Sequence, residues 1–420
     1  MVFINSDNNL DAFGVGDLQE MVEGGGSNDF HNVIVLLDRY KAPTKLYYVT
    51  ADGAEILKEY EDLDMGDYNV FVDFVVSTAK AYPAKYYNVI MWNHGSGWKE
   101  INTDVVKGIS YDDTSGNHIT TEQLTLAGNK INKALGKKID VFCFDACLMQ
   151  MVEVAYTLKD NVNYLVASQE VEPGHGYPYD QILKNFKKGT TPESYAKLIV
   201  KKFAKSYDNG TQGFSSTTQS AIQADQIDAL IDGINGFSKA LMSKNYAPEI
   251  KLALNAVQKF YYRTNIDLGH LVKLIMNGIK DVPVQTAGKK LLAALDKAVI
   301  ANGLSGYNTK FSTGLAIYFP TSSYSFANDY GRLAFAQNTL WEQMVKDYYK
   351  KSTIPRLVSE VRSGDISGLL EYASTANENN REISHELISR LNFAVFTEEA
   401  PKDKSTSDNL ANIIKDLRTR

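Results

Sequence analysis

Cys147 closes the segment Phe144-Asp145-Ala146-Cys147, where an apolar run gives way to a helical pattern. The run Lys138-Ile139-Asp140-Val141-Phe142-Cys143-Phe144 is bounded by polar residues and reads as a buried strand. A helix is expected from Leu148 to Leu158, with Leu148, Met151, Val152 and Ala155 on one side. A thiol at that junction faces the positive end of the helix, which lowers its pKa and favours the thiolate. Packing is the plainer role for such a residue, because free cysteine is among the most buried residue types. Cys143 lies inside the strand and is assigned to the core. His94 also follows a strand, in Asn93-His94-Gly95-Ser96-Gly97. Gly95 and Gly97 let the backbone turn and approach a ligand, and the Gly95 N–H is placed to donate to a developing oxyanion. Taken alone, His94 reads more readily as a loop histidine beside a tight turn. Among His31, His118, His175, His270 and His385, none joins a predicted strand end to a following glycine. A cysteine and a histidine at the ends of neighbouring strands make a nucleophile–base pair.

These two positions need a scaffold that aligns strand ends. Val33–Leu37 and Tyr87–Trp92 read as buried strands, and Asn163–Ala167 as another. Asp52-Gly53 marks a hairpin turn between Leu46–Val49 and Glu55–Leu57. Asp67 to Ala81 is amphipathic, with Val72, Val75, Val76 and Ala79 on one face, and Pro83 closes it. Thr120 to Leu135 is a helix capped by Thr120 or Thr121. Strand and helix alternate in the order of a mostly parallel sheet covered on both faces, in which chemistry sits at the carboxyl ends of strands. Residues 192–208 and 225–301 read as mainly helical, and Phe214–Gln223 as an exposed or edge strand. Gly314–Pro320 is a late strand and 338–350 a helix. Beyond about 352 the pattern weakens, with a charged loop over 398–408. The expected organisation is a core over 1–223, helical segments and a late strand over 224–350, and an extension over 351–420.

Composition narrows the function classes. The 420 residues are 44% hydrophobic and 22% charged, with a net charge of −6, and the lysines are dispersed. No basic patch suggests nucleic acid as a partner, and no apolar run reaches the length of a membrane span. Four strand residues span about 13 Å, too far for Cys143 and Cys147 to bridge, so both thiols are expected free. Two cysteines at this spacing also make no zinc site. Gly24-Gly25-Gly26 lacks the Lys-Ser/Thr of a phosphate loop, and Gly95-Ser96-Gly97 lacks the nucleophile-elbow pattern. Met1-Val2-Phe3-Ile4-Asn5 opens abruptly as a strand. The expectation is that a leader segment is absent from this sequence and that the protein is secreted or associated with the cell envelope.

Trp92-Asn93-His94-Gly95-Ser96-Gly97-Trp98 resembles the histidine motif of the clostripain family of cysteine peptidases, and Phe144-Asp145-Ala146-Cys147-Leu148-Met149 resembles its cysteine motif. Asn5–Leu10, Tyr111–Gly116 and Leu315–Pro320 are similar to family blocks too, so the resemblance covers roughly residues 1–350. It implies a caspase-like α/β/α sandwich with an added mainly helical C-terminal region. It implies a His94/Cys147 dyad with no obligatory third residue, acting through a thioester. It also implies cleavage after Arg or Lys, with Asp145 binding the basic side chain and pairing with its cation. A helix N-terminal acid is the simpler reading of Asp145; Glu170 and Glu172 are lesser pocket candidates. Backbone N–H groups of Gly95 and Cys147 would hold the oxyanion. Self-cleavage at a basic residue between the two motifs is implied, and Lys107, just before Gly108, is the site expected.

No cofactor is required by this chemistry, and no metal site is assigned. Some family members respond to calcium, as an activator or structural ion. Asp7, Asp11, Asp112 and Asp113 offer oxygens, but none follows an EF-hand spacing, so they read first as loop and cap residues. The expected partners are peptide or protein substrates, and the expected state is a monomer. The alternatives are a same-fold peptidase with another specificity, a metal-dependent hydrolase, and a non-catalytic binding or surface module.

Overall fold

A computed structural model describes residues 1–98, 108–363, 365–376, 381–395 and 404–419. The chain divides into two compact units interleaved in sequence: 1–232, 258–272 and 290–318 in the first, and 233–257, 273–289 and 319–420 in the second.

The first unit is built on nine strands: β1 (Val2–Ser6), β2 (Val33–Arg39), β3 (Ala42–Thr50), β4 (Gly53–Glu59), β5 (Asn88–Trp92), β6 (Ile139–Asp145), β7 (Val162–Ala167), β8 (Thr217–Gln223) and β9 (Val299–Ser305). Their spatial order is β9-β8-β7-β6-β5-β1-β2-β3-β4. The central strands β2, β1, β5, β6 and β7 pair parallel, while antiparallel strands extend both sides. The sheet is therefore mixed with a mostly parallel centre, flanked by helices, as expected. The uniformly apolar runs Val33–Leu37 and Val89–Trp92 are buried because parallel strands are covered on both faces.

Helix α1 (Asp11–Glu23) follows β1, α2 (Tyr68–Ala81) precedes β5, and α3 (Thr121–Leu135) precedes β6. Phe71, Val72, Val75 and Ala79 of α2 are buried, and Asp67 caps it by accepting from the Asn69 N–H. Thr120 and Gln123 cap α3 reciprocally, and Gly136 closes it in the left-handed region.

Three local expectations differ. Thr217–Gln223 is interior, between β7 and β9, and its polar residues are buried. Two of them are paired: Gln150 Nε2 donates to Ser220 O at 2.9 Å, and Ser168 Oγ lies 2.9 Å from Thr218 Oγ1, whereas Thr217 Oγ1 and Gln219 Oε1 are buried without a partner. The run 225–301 is mainly helical, as expected, with the short strand Asn265–Asp267 and the start of β9 inside it. The helix expected at Leu148 begins only at Val152 (α4, Val152–Leu158). In the second unit, a helix runs over Trp341–Arg362, past the expected end at 350. Helices Ser367–Thr375, Arg381–Val395 and Lys404–Thr419 follow. There Phe319 packs edge-on against Trp341 and Tyr348, at 5.6 Å between ring centroids in both cases. Among the described residues, no helix is long and apolar enough to cross a membrane.

Candidate active site

The sheet reverses its direction of winding between β1 and β5, and a crevice at strand carboxyl ends is expected there. His94 follows β5 and Cys147 follows β6. The parallel register sets Trp92 opposite Asp145, so the residues two beyond each, His94 and Cys147, leave the sheet side by side. Asn93 N–H donates to Asp145 O at 3.3 Å and continues that pairing past the strand end. Gly95 makes the approach possible. A Cβ built there would stand 2.4 Å from the Cys147 carbonyl oxygen, so no other residue type fits without moving backbone.

The nucleophile loop is not a helix start. Leu148 has a φ of 64°, and the next helix begins five residues after the cysteine. The reason is lateral pairing: Leu148 N–H donates to Glu170 O at 3.2 Å, and Gln150 N–H to Ser168 O at 2.9 Å. These donors are spent on the segment after β7 rather than on a first helical turn. The expected helix-dipole activation of Cys147 is therefore absent. The thiol meets backbone donors instead, the Glu172 N–H, 3.3 Å from Sγ, and its own N–H. Burial pushes the Cys147 thiol up from its ordinary value, and the Glu172 N–H only partly offsets that. Burial pushes His94 down, and the Asp113 carboxylate opposes it. Near neutral pH the pair is thus thiol and neutral imidazole. His94 Nε2 lies 2.6 Å from Asn9 Oδ1. Among the described residues, no hydrogen bond joins His94 to Cys147. Cys143 and Cys147 are both free thiols, and Cys143 is fully buried within β6.

Asp145 ends β6 and is 4% exposed. Its Oδ2 accepts from Tyr179 Oη at 2.7 Å and from the Tyr177 N–H at 3.2 Å. Gly176, with a φ of +51°, packs so closely that an added Cβ would lie 2.7 Å from Asp145 Oδ1. Burial raises the Asp145 carboxyl to about 6, and the Tyr179 hydroxyl and Glu172 limit the rise. Burial, then the Asp145 charge, pushes Glu172 well above the carboxylate range. Gln219 Nε2 reaches Glu172 Oε1 at 3.3 Å. Behind them, Asp17 accepts from Trp92 Nε1 at 2.6 Å, and burial with the Asp145 and Glu20 charges raises its carboxyl. Burial, and then Asp180, raises Glu20 to about 7. Among the described residues, no Lys or Arg forms an ion pair with Asp17, Asp145 or Glu172.

Other sequence candidates fall as follows. Glu170 Oε1 is spent on the Val171 and Tyr261 N–H groups, at 2.8 and 3.1 Å. Asp11 pairs with Arg39 at 2.9 Å. Lys107 lies outside the described residues. Sequence reasoning passed over Asn9, Asp17, Glu20, Tyr177 and Tyr179; only the aromatic pair around Pro178 carried a local signal. Asp7 and Asp112, with Asp38, are the group that chemistry would allow to hold a metal ion.

A parallel-centred α/β sheet with a cysteine and a histidine on adjacent strand ends is the arrangement of a thiol peptidase of the caspase-like fold. The model of the clostripain family matches residues 2–348, and the chain belongs to that family of cysteine peptidases. Clostripain of Hathewaya histolytica is 30% identical over 221 residues, which is 45% of this chain and 42% of that protein. The aligned region thus spans less than half the length of that relative. A secreted C11 cysteine protease from Bacteroides thetaiotaomicron, solved with an irreversible peptide inhibitor, superposes with a TM-score of 0.64 at 21% identity, covering 82% of this chain and 97% of that one. An inactive zymogen C11 protease from Parabacteroides distasonis gives 0.59 at 21% identity, covering 82% and 96%. At this identity both likenesses speak to the fold.

Proposed function

We propose that the protein is a cysteine endopeptidase that cuts after Arg or Lys, with Cys147 as nucleophile and His94 as proton carrier. The observation that carries the reading is the β5–β6 register, which delivers His94 and Cys147 side by side with Asp145 two residues before the thiol. The substrate's basic side chain pairs with Asp145, aided by Glu172, and so supplies the charge this acidic group lacks. Cys147 Sγ attacks the scissile carbonyl carbon while His94 takes the thiol proton. The oxyanion is held by the Gly95 and Cys147 N–H groups. His94 returns the proton to the leaving amine, and the C–N bond breaks to leave a thioester. Water, deprotonated by His94, then attacks the thioester, and the acid product leaves with the thiol restored. No cofactor enters these steps; calcium would act on structure alone.

The resting arrangement supports a latent form, since His94 is engaged by Asn9 and the Cys147 sulfur by Glu172. Cutting after Lys107 is the activating event in this reading. Gly108, the next residue, exchanges hydrogen bonds with Ser96 beside His94, its N–H reaching Ser96 Oγ at 3.1 Å, so a cut there frees the histidine loop. The protein acts as a monomer on peptides and proteins outside the cytoplasm; the superposed Bacteroides enzyme is itself secreted. The family match ends at residue 348, which supports leaving 351–420 as an extension beside the catalytic core.

Fluorogenic Arg, Lys, Asp and Asn peptides, offered to wild type and Cys147→Ala with intact masses recorded, test the reading. Arg or Lys hydrolysis by wild type alone, with a mass break after Lys107, is expected. Hydrolysis only after Asp or Asn would replace the specificity. No hydrolysis by folded wild type under reducing conditions would favour the binding module.

A further inference from the structure

Asn9 Oδ1 lies 2.6 Å from His94 Nε2. The two residues belong to different turns, the one after β1 and the one after β5, and both turns are pinned to a common point. Asn8, the residue before Asn9, and Asn93, the residue before His94, are 5% and 4% exposed. Their side-chain amides converge on one acceptor, the Tyr111 carbonyl oxygen, Asn8 Nδ2 at 2.8 Å and Asn93 Nδ2 at 2.9 Å. Asn93 Nδ2 also donates to Asn5 O at 2.6 Å, which joins the two turns directly. Asn8 Oδ1 accepts from the Leu10 N–H at 2.9 Å, so the backbone on both sides of Asn9 is fixed. Buried amides with this many partners hold one geometry. The meeting of Asn9 and His94 is therefore set by the framework beneath them.

An amide oxygen only accepts. In the neutral ring Nε2 thus carries the proton and Nδ1 keeps the lone pair, because the bond at one ring nitrogen decides the state of the other. Asn9 also brings no charge. Among the described residues, Asp113 is the charged group that bears on His94, against the effect of burial. A neutral acceptor orients the imidazole without holding it protonated, which a general base requires.

We propose that Asn9 is a positioning residue for peptide cleavage: its side-chain oxygen fixes His94 as the Nε2–H tautomer and leaves Nδ1 as the atom that takes the thiol proton. The proposal rests on the cysteine-peptidase reading and adds a third residue to a pair that the family resemblance leaves without an obligatory one. Nδ1 takes the Sγ proton as the S–C bond forms, and returns it to the leaving nitrogen as the C–N bond breaks. Between those events the ring carries both N–H groups and a positive charge, and its bond to Asn9 becomes charge-assisted. The bond is thus stronger along the reaction than before it, so its loss is read in kcat. At rest His94 is bonded to Asn9 and not to Cys147. That bond occupies one ring nitrogen, and it is kept when the freed histidine loop lets the other reach the thiol.

The test compares Asn9→Ala and Asn9→Asp with wild type in the full chain, with kcat and KM for Arg peptides measured across pH. Asn9→Ala should lower kcat about 10- to 100-fold and change KM less than about twofold. Asn9 is exposed, so the melting temperature should stay within about 2 °C. Asn9→Asp keeps an acceptor and adds a charge. It should restore kcat to within about threefold of wild type at its own optimum, with the acid limb of kcat/KM moved up by about one pH unit. Asp113 is unchanged in both variants. His94 is also titrated by NMR in the Cys147→Ala chain, where turnover plays no part, its signal assigned by its loss in His94→Gln. Its pKa should move down with Asn9→Ala and up with Asn9→Asp. A kcat for Asn9→Ala within about threefold of wild type, or an effect on KM alone, would overturn the positioning role, and a faster variant would overturn it in favour of a latch. A His94 titration unmoved by Asn9→Ala would overturn the bond itself. Titration shifts as expected with no hydrolysis by wild type would count against the peptidase reading, and the catalytic role of the bond would fall with it.

Discussion

Replacing Asp145 by Asn removes one charge from the acidic group beside the nucleophile and changes little else. The amide oxygen can accept from Tyr179 Oη and the Tyr177 N–H, which now reach Asp145 Oδ2 at 2.7 and 3.2 Å. The amide nitrogen can donate toward Glu172. A carboxyl held at about 6 against an ordinary 3.8 carries a penalty of about 3 kcal/mol once ionised. The folded state keeps this proton where the unfolded chain has released it. Stability contributed at Asp145 therefore falls as pH rises from about 4 to about 6 and stays low above that. Asp145→Asn should erase that dependence and raise stability at pH 8 by up to about 3 kcal/mol. Activity should move the opposite way. The penalty is what a bound guanidinium would relieve, and Glu172 remains to do part of it. A loss of about 2–3 kcal/mol of transition-state binding lowers kcat/KM for Arg peptides roughly 30- to 150-fold. Thermal melts at pH 5 and pH 8, with kcat/KM for Arg peptides, measure both. A variant within threefold of wild type on Arg peptides, or less stable at pH 8, would refute the reasoning.

Cys147→Ala should abolish turnover, whereas Cys143→Ala, which only empties a little volume inside β6, should keep most of it at a cost of about 1 kcal/mol in a denaturant melt. Gly95→Ala forces a methyl to 2.4 Å from the Cys147 carbonyl oxygen. It should fold but lose at least tenfold in kcat, with a strain of about 1–3 kcal/mol; unchanged kcat would contradict the close approach. Burial lowers His94, so the acid limb of the kcat/KM profile should fall below the ordinary histidine range, with activity lost as the imidazole protonates. An acid limb above that range would show that His94 is not the base.

Much of the site was legible because its signals are local. Apolar runs ending at Trp92 and Phe144, followed by His94-Gly95 and Cys147, mark strand ends whatever the partners. Parallel pairing then follows from alternation of strand and helix. The start of α4 was misread because Leu148, Met151, Val152 and Ala155 keep helical spacing whether or not the backbone turns there. Only the distant carbonyls of Ser168 and Glu170 decide that it does not. Thr217–Gln223 looked exposed because the partners of Ser220 and Thr218, Gln150 and Ser168, lie far off in sequence. The same holds for Asp17, Glu172 and Tyr179 around Asp145, and for Asp38 between Asp7 and Asp112. Their meaning lies in a juxtaposition that no spacing along the chain encodes.

The most direct test of the central claim is covalent labelling by a peptidyl-arginine chloromethyl ketone, read by intact mass and peptide mapping. The account predicts one adduct per chain on Cys147, none on Cys143, far slower labelling in His94→Ala, and little labelling by the aspartyl analogue. An adduct on Cys143, or equal labelling by the aspartyl reagent, would contradict it.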